Sequence, residues 1–167
     1  MKRKIYSVIG PVIIMASILV LAGCSGGASG QGGPYRPTSI VPTVSNDTVT
    51  IPESVITTRN NVEFNVKFDQ GTASYMAYYF KNAVQVRASV CVPCQGKSFT
   101  LSGNTLICGN CGTVFDATTG KGVKGVKACQ GYPKAAVPFT TSADGLVTLK
   151  KADLLKAYTD TLAPGLP

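Results

Sequence analysis

The chain contains no histidine and no tryptophan, and only 8 Asp+Glu stand against 16 Lys+Arg among its 167 residues. Without an imidazole there is no Ser-His-Asp triad, no HExxH zinc site, no histidine-ligated haem and no imidazole general base. Acids are scarcest where the cysteines gather: Asp116 is the only one between Cys91 and Ser142. No second carboxylate lies near it to make an acid–base pair, so a turn-capping role is expected of it. No long amphipathic helix and no internal repeat is evident. What remains fits one small domain with 44% apolar residues, 18 Gly, 10 Pro and 6 Cys, and nothing in that inventory makes an enzyme by itself.

Lys2, Arg3 and Lys4 precede an apolar run from Ile5 to Leu21 that only Ser7, Gly10, Pro11 and Ser17 interrupt, and Leu21-Ala22-Gly23-Cys24 closes it. A charged start, an apolar stretch and small residues before a cut are the three parts of a signal peptide. Leu-Ala-Gly-Cys resembles the lipobox of prokaryotic lipoproteins, which implies loss of residues 1–23 and a diacylglycerol on Cys24. The alternative is an uncleaved membrane helix, against which stand Gly10-Pro11 and the small residues at its end. Either reading puts the domain outside the cytoplasm, held to a membrane. The Lys-Arg-Lys start is not a twin-arginine signal, so export of an unfolded chain is expected, with metal acquired outside.

Without residues 1–23 the chain keeps thirteen basic and eight acidic residues, a net charge of +5. This is mildly basic and makes no nucleic-acid footprint. Ser25 to Pro42 is rich in Gly, Ser and Pro and has no apolar period, so residues 24–43 read as a lipidated cysteine with a flexible tether, and 44–167 as the domain. Strands are expected at Thr48–Ile51, Val62–Phe68, Tyr75–Phe80, Ala83–Val90 and Leu146–Leu149, from their period-two alternation and their Val, Tyr and Phe content. Asn60-Asn61, Asp69-Gln70-Gly71, Lys81-Asn82 and Asp144-Gly145 mark turns, and Lys151 to Tyr158 suits one short helix. Tyr75, Tyr78, Tyr79 and Phe80 read as core aromatics. The fold class is mainly β, a small antiparallel domain whose cysteines fall in long loops.

Those cysteines carry the chemistry. Cys91-Val92-Pro93-Cys94 is followed after thirteen residues by Cys108-Gly109-Asn110-Cys111, and Cys129 stands alone. Two CxxC pairs at ribbon-like separation can form two knuckles whose sulfurs converge on one metal. Four thiolates with no imidazole select a thiophilic centre: an iron–sulfur cluster, or a single Zn or Fe. A disulfide framework is the bland alternative, but it leaves one thiol over. A thioredoxin-like redox pair fits poorly, because Lys97 to Leu101 reads as turn and strand where that motif opens a helix. Four thiolates around Zn(II) or an oxidised two-iron cluster leave a charge of about −2, and Lys97, Lys121, Lys124, Lys127 and Lys134 are placed to offset it. An anionic membrane surface is the other partner those lysines would suit.

The stretch from Cys108 to Gly125, with Gly112, Phe115-Asp116 and Thr119-Gly120, resembles the second cluster-binding box of Rieske domains, C-x-x-H-G-x-x-F-D-x-x-T-G. Cys111 stands where that family has histidine, and Cys91-Val92-Pro93-Cys94 replaces its C-x-H. A closer resemblance, over about residues 47 to 150, is to the FtrD-like family of membrane-associated iron–sulfur proteins linked to iron transport. Its shared pattern is an arginine-bearing strand into C-x-x-C, a hairpin, C-x-x-C-G-x-x-F and a later cysteine near a proline. Here these are Val86-Arg87-Ala88, Cys91 and Cys94, Cys108 to Phe115, and Cys129 with Pro133. Ser89-Val90 and Lys127-Ala128 depart from the family's Asp-Ala and Gly-Gly. The resemblance implies a Rieske/zinc-ribbon-like fold, one-electron transfer through a cluster held by Cys91, Cys94, Cys108 and Cys111, with Cys129 as a possible fifth sulfur, and a redox or transport partner protein. All-cysteine ligation implies a lower potential than a two-histidine Rieske centre. A structural zinc ribbon that binds a partner, or a thiol relay that hands on metal through Cys129, are the competing functions.

Overall fold

A computed structural model describes residues 32–165. The signal peptide, Cys24 and residues 25–31 of the tether lie outside them. In chain order the elements are β1 (Thr38–Ser39), β2 (Thr43–Ser45), β3 (Thr48–Pro52), α1 (Glu53–Arg59), β4 (Asn61–Phe68), β5 (Gly71–Phe80) and β6 (Ala83–Ala88). Then follow β7 (Phe99–Ser102), β8 (Thr105–Cys108), β9 (Val114–Asp116), β10 (Gly122–Lys124), α2 (Lys127–Gln130), β11 (Thr140–Thr141), β12 (Leu146–Lys150) and α3 (Lys151–Leu162).

They form three four-stranded sheets: β1-β4-β5-β6, β10-β9-β8-β7 and β11-β12-β3-β2. All pairs are antiparallel except β1 with β4. The first sheet is the spine. Its two hairpins close where turn chemistry allows, at Phe68↔Gly71 and Phe80↔Ala83, and both Lys81 and Asn82 adopt the left-handed backbone that a two-residue hairpin loop needs. Side chains alternate across a strand, and in β5 both faces are buried. Ala73, Tyr75 and Ala77 enter one core with Val49, Ile51, Ile56, Val147, Leu149 and Leu154. Met76, Tyr78 and Phe80 enter a second with Phe99, Leu101, Leu106, Phe115 and the cysteines. Tyrosine hydroxyls lock both layers to β5: Tyr75 donates to Leu154 O of α3 at 2.9 Å and Tyr78 to Ala117 O at 2.6 Å.

Two expectations are corrected. Residues 35–43 are no tether: Tyr35 N–H donates to Leu101 O at 2.7 Å, Ile40 N–H to Glu63 O at 2.9 Å, and the buried Asn61 Nδ2 reaches Tyr35 O at 2.9 Å. Gly and Pro content read as a linker because backbone pairing against a sheet leaves no apolar signature. The segment Glu53–Arg59 is helical although Val55, Ile56, Thr57 and Thr58 are poor helix formers. Burial of Ile56 and the left-handed Asn60 after Arg59 decide it, and Asn61 accordingly starts β4 instead of a turn. The C-terminal helix is present and runs on to Leu162.

One buried cation joins the layers. Arg87 of β6 donates to Tyr78 Oη at 2.9 Å, to Lys134 O at 2.8 Å and to Thr118 O. It thereby ties the first sheet to the turn after β9 and to the segment that follows α2. The substitution Arg87→Leu strips donors from three oxygens at once, and should lower stability by about 3–5 kcal/mol. The check is a urea unfolding midpoint that falls at unchanged slope.

Candidate metal centre

Each knuckle is built by a sheet end. β6 delivers Ala88, and Ser89 is held by its N–H to Ser74 O (2.8 Å) and its hydroxyl to Lys97 O (2.7 Å). The first knuckle then closes on itself, Cys91 N–H donating to Gly96 O at 2.7 Å. The second grows from the β8 end, where Cys108 is the last strand residue. Cys108 N–H donates to Thr113 O at 2.9 Å and Gly112 N–H to Cys108 O at 3.0 Å. Gly112 has φ +70°, the left-handed conformation that lets the chain turn back after Cys111. Asn110 Nδ2 bonds Cys94 O at 2.6 Å and staples one knuckle to the other.

This architecture brings together all five cysteines expected as sulfur donors. Sγ of Cys94 lies 3.7 Å from Cys108, Cys91 4.0 Å from Cys111, and Cys111 3.8 Å from Cys129. The sulfurs of Cys91, Cys94, Cys111 and Cys129 all lie within 4.8 Å of one another. All five are free thiols, with Cys91, Cys108 and Cys129 buried and Cys94 and Cys111 partly exposed. Cys129 comes from α2 and not from a loop. That helix is drawn in because Gly125 packs on Thr113, where a Cβ would meet its Cα at 2.8 Å.

Burial and amide donors divide the thiols. Burial, with the Cys94 and Cys129 thiols beside it, holds Cys91 far above the ordinary thiol range, and burial also raises Cys129. Cys108 is pushed up to about 11 by burial, although backbone N–H groups of Cys111 and Asn110 favour its thiolate. At Cys111 burial acts in the same sense, but the Thr113 hydroxyl and N–H and the thiols of Cys94 and Cys108 outweigh it, bringing the group to about 6. Thr113 is well placed for this. Its Oγ1 accepts Val126 N–H at 3.2 Å and the S–H of the neutral Cys111 thiol at 3.1 Å, and turns its own proton to the sulfur once Cys111 is a thiolate.

Asp116 takes the turn-capping role expected of it, accepting Thr118 N–H, Thr119 N–H and the Thr119 hydroxyl at 3.0, 2.7 and 2.9 Å, which holds its carboxyl below the usual range. Phe115 is fully buried and meets Phe99 edge-on at 5.8 Å, closing the site from below. Sequence reasoning did not single out Gly96, Asn110 or Thr113. The first of these leaves a legible trace, a glycine two residues after a C-x-x-C pair.

The sequence model of the FtrD-like family, "membrane iron-sulfur containing protein FtrD-like", matches residues 56–159, more than half of the chain. The chain belongs to this family. The FtrD-like match takes in all five clustered cysteines. By structure the chain is similar to one in the "complex of reduced oxygenase and oxidized ferredoxin in carbazole 1,9a-dioxygenase", with TM-score 0.50, 15% identity, and coverage of 64% of this chain and 95% of that one. It is also similar to the Sphingomonas yanoikuyae B1 ferredoxin, with TM-score 0.41, 21% identity and coverage of 52% and 83%. No match is found among curated protein sequences. The fold is mainly β, with small antiparallel sheets and a short C-terminal helix, as expected, and the likeness to the first of these structures is one of fold.

The site suits the family's cofactor. Five convergent thiols in a chain without histidine, with amide donors aimed at sulfur, form a donor set for an iron–sulfur cluster. No helix among the described residues is long and apolar enough to cross a membrane.

Gly96 gives the sharpest test of this packing. A Cβ there would stand 2.7 Å from Cys108 Sγ and 2.9 Å from Asn110 Cβ. Gly96→Ala should keep the strand signal in circular dichroism but weaken metal binding at least tenfold, about 1.4 kcal/mol, as read by metal retention against a chelator.

Proposed function

We propose that this FtrD-like protein is an electron carrier at the outer face of a membrane, anchored by lipid on Cys24 and linked to iron transport. The observation that carries the reading is the convergence of sulfurs at one end of the second core, four of them mutually within 4.8 Å and that of Cys108 3.7 Å from Cys94, with no imidazole or carboxylate among them. In this reading Cys91, Cys94, Cys108 and Cys111 hold the cluster and Cys129 is a fifth sulfur beside Cys111, although the four sulfurs mutually within 4.8 Å take Cys129 in place of Cys108, which adjoins Cys94 at 3.7 Å. When bound, the cluster supplies a one-electron couple and requires no side-chain acid or base.

The chain's own residues set the conditions of transfer. Phe99, Phe115 and Leu106 exclude water from the buried side. Cys94 and Cys111 reach the surface and give electrons a short way out. Beside the second knuckle, where Gly125 and Val126 lie against Thr113, Lys124 and Lys127 are exposed, with Val123 (56%) and Val126 (47%) next to them. A partly apolar, basic rim of this kind suits an acidic redox or transport partner, whose approach it would steer in a salt-dependent way. The tether ahead of residue 35 would let the domain reach that partner from the bilayer.

A second reading, metal delivery by thiol exchange, draws on the surplus thiol: Cys129 lies 3.8 Å from Cys111 and could replace a departing ligand.

The test is iron and acid-labile sulfide analysis, with visible spectra, on the full chain purified from its native host without oxygen. The carrier reading expects both elements, visible bands that dithionite bleaches, and their loss in Cys91→Ser. A colourless protein with one zinc and four protected thiols contradicts it. Fast metal exchange in the wild type that slows in Cys129→Ser would favour delivery.

A further inference from the structure

The five lysines near the cysteines do not share one environment. Lys97, Lys121, Lys124 and Lys127 are exposed, whereas Lys134 is 0% exposed. Lysine ordinarily reaches outward to keep its ammonium in water. Here the backbone is pinned on both sides, Lys134 N–H donating to Gly120 O at 2.8 Å and Lys134 O accepting from Arg87 at 2.8 Å. The side chain runs inward. Its Nζ donates to Val90 O at 2.7 Å and to Tyr132 O at 2.6 Å, and lies 4.4 Å from the Phe115 ring centre and 5.5 Å from that of Phe99.

No carboxylate answers this charge; the one ion pair among the described residues is Lys156 with Asp160, on the surface of α3. Two carbonyls and two ring faces solvate an ammonium in part, but a buried charge without an opposite charge is strongly disfavoured. The anions this core can offer are its thiolates. Val90 directly precedes Cys91, Tyr132 follows Cys129 by three residues, and the two rings share a buried cluster with Cys91, Cys108 and Cys129. Burial draws the ammonium towards its neutral form, while the charges of Cys91, Cys108, Cys129 and Cys94 favour its proton. The attraction is mutual.

We propose that Lys134 is the internal counter-charge of the metal centre, a positioning residue whose buried ammonium stabilises the assembled thiolates and raises the reduction potential. This rests on the reading that the five thiols hold metal. When an external one-electron donor reduces the centre, with no bond or proton changed, one more negative charge accumulates, and a fixed positive charge favours that state. Inside the core the effect is poorly screened, so it persists in salt, unlike that of the four exposed lysines.

The experiment is a dithionite redox titration of the full, cluster-loaded protein at low and high salt, comparing wild type, Lys134→Gln and the exposed control Lys97→Gln. Lys134→Gln should shift the midpoint negative by a tenfold change in the reduced-to-oxidised ratio, 59 mV for one electron, at both salt levels. The Lys97→Gln shift should be smaller and vanish in high salt. Zinc titration of the reduced apoprotein gives a second readout, with at least tenfold weaker binding expected for Lys134→Gln. Unmoved potential and zinc affinity in a folded, loaded variant overturn the proposal while leaving the cluster reading intact. Should Lys134→Gln fail to fold, nitrogen NMR of the Lys134 Nζ in zinc-loaded wild type decides: an ammonium supports the proposal and a neutral amine overturns it. A wild type that binds neither cluster nor zinc overturns both readings.

Discussion

Thiolate ligands must be ionised to bind metal, yet a protein core resists every uncompensated charge. Cys91, Cys108 and Cys129 are each buried and each drawn towards the neutral thiol. With Cys94 and Cys111 beside them, these sulfurs repel one another once ionised. The devices around the site answer that conflict: peptide N–H groups of Asn110 and Cys111 directed at Cys108, the Thr113 side chain that favours the Cys111 thiolate, and the buried Lys134 ammonium above two aromatic rings. Metal, once present, completes the compensation, so assembly of the centre and consolidation of this half of the domain are coupled.

The fold supplies rigidity to hold those devices in place. β5 is buried on both faces and serves two cores, so the sheet that leads into Cys91 is fixed by the packing of α1 and α3 on its far side. Arg87 transmits that order, since one donor grips Tyr78 of β5 and the other two hold the turn before Gly120 and the carbonyl of Lys134. Gly120 is required at this junction because a Cβ would fall 2.2 Å from Lys134 O. A scaffold of this kind restrains the sulfurs and limits reorganisation when an electron arrives.

The parts legible in the sequence were those whose signal is local. Val62, Phe64, Val66 and Phe68 alternate, and Lys81-Asn82 marks a tight turn, so the spine was readable. The two C-x-x-C pairs and the glycine after Cys111 were equally plain. Long-range packing decided the rest. Ile56 makes a helix of a β-branched stretch, and the carbonyls and amides of residues 35–40 find partners in β4 and β7 that composition cannot reveal. Cys129 has no spacing partner and reaches the site because α2 packs on the second knuckle. Lys134 stood as one of five lysines placed to offset the thiolates, with nothing to set it apart from the four exposed ones, since burial of a charge leaves no trace in a one-dimensional pattern.

The central claim is that these sulfurs surround iron and sulfide together. Iron X-ray absorption on the anaerobically purified protein tests it most directly. The account predicts a first shell of sulfur alone around iron, with an iron–iron distance beyond it. Nitrogen or oxygen in the first shell, or zinc in place of iron at full occupancy, would contradict it.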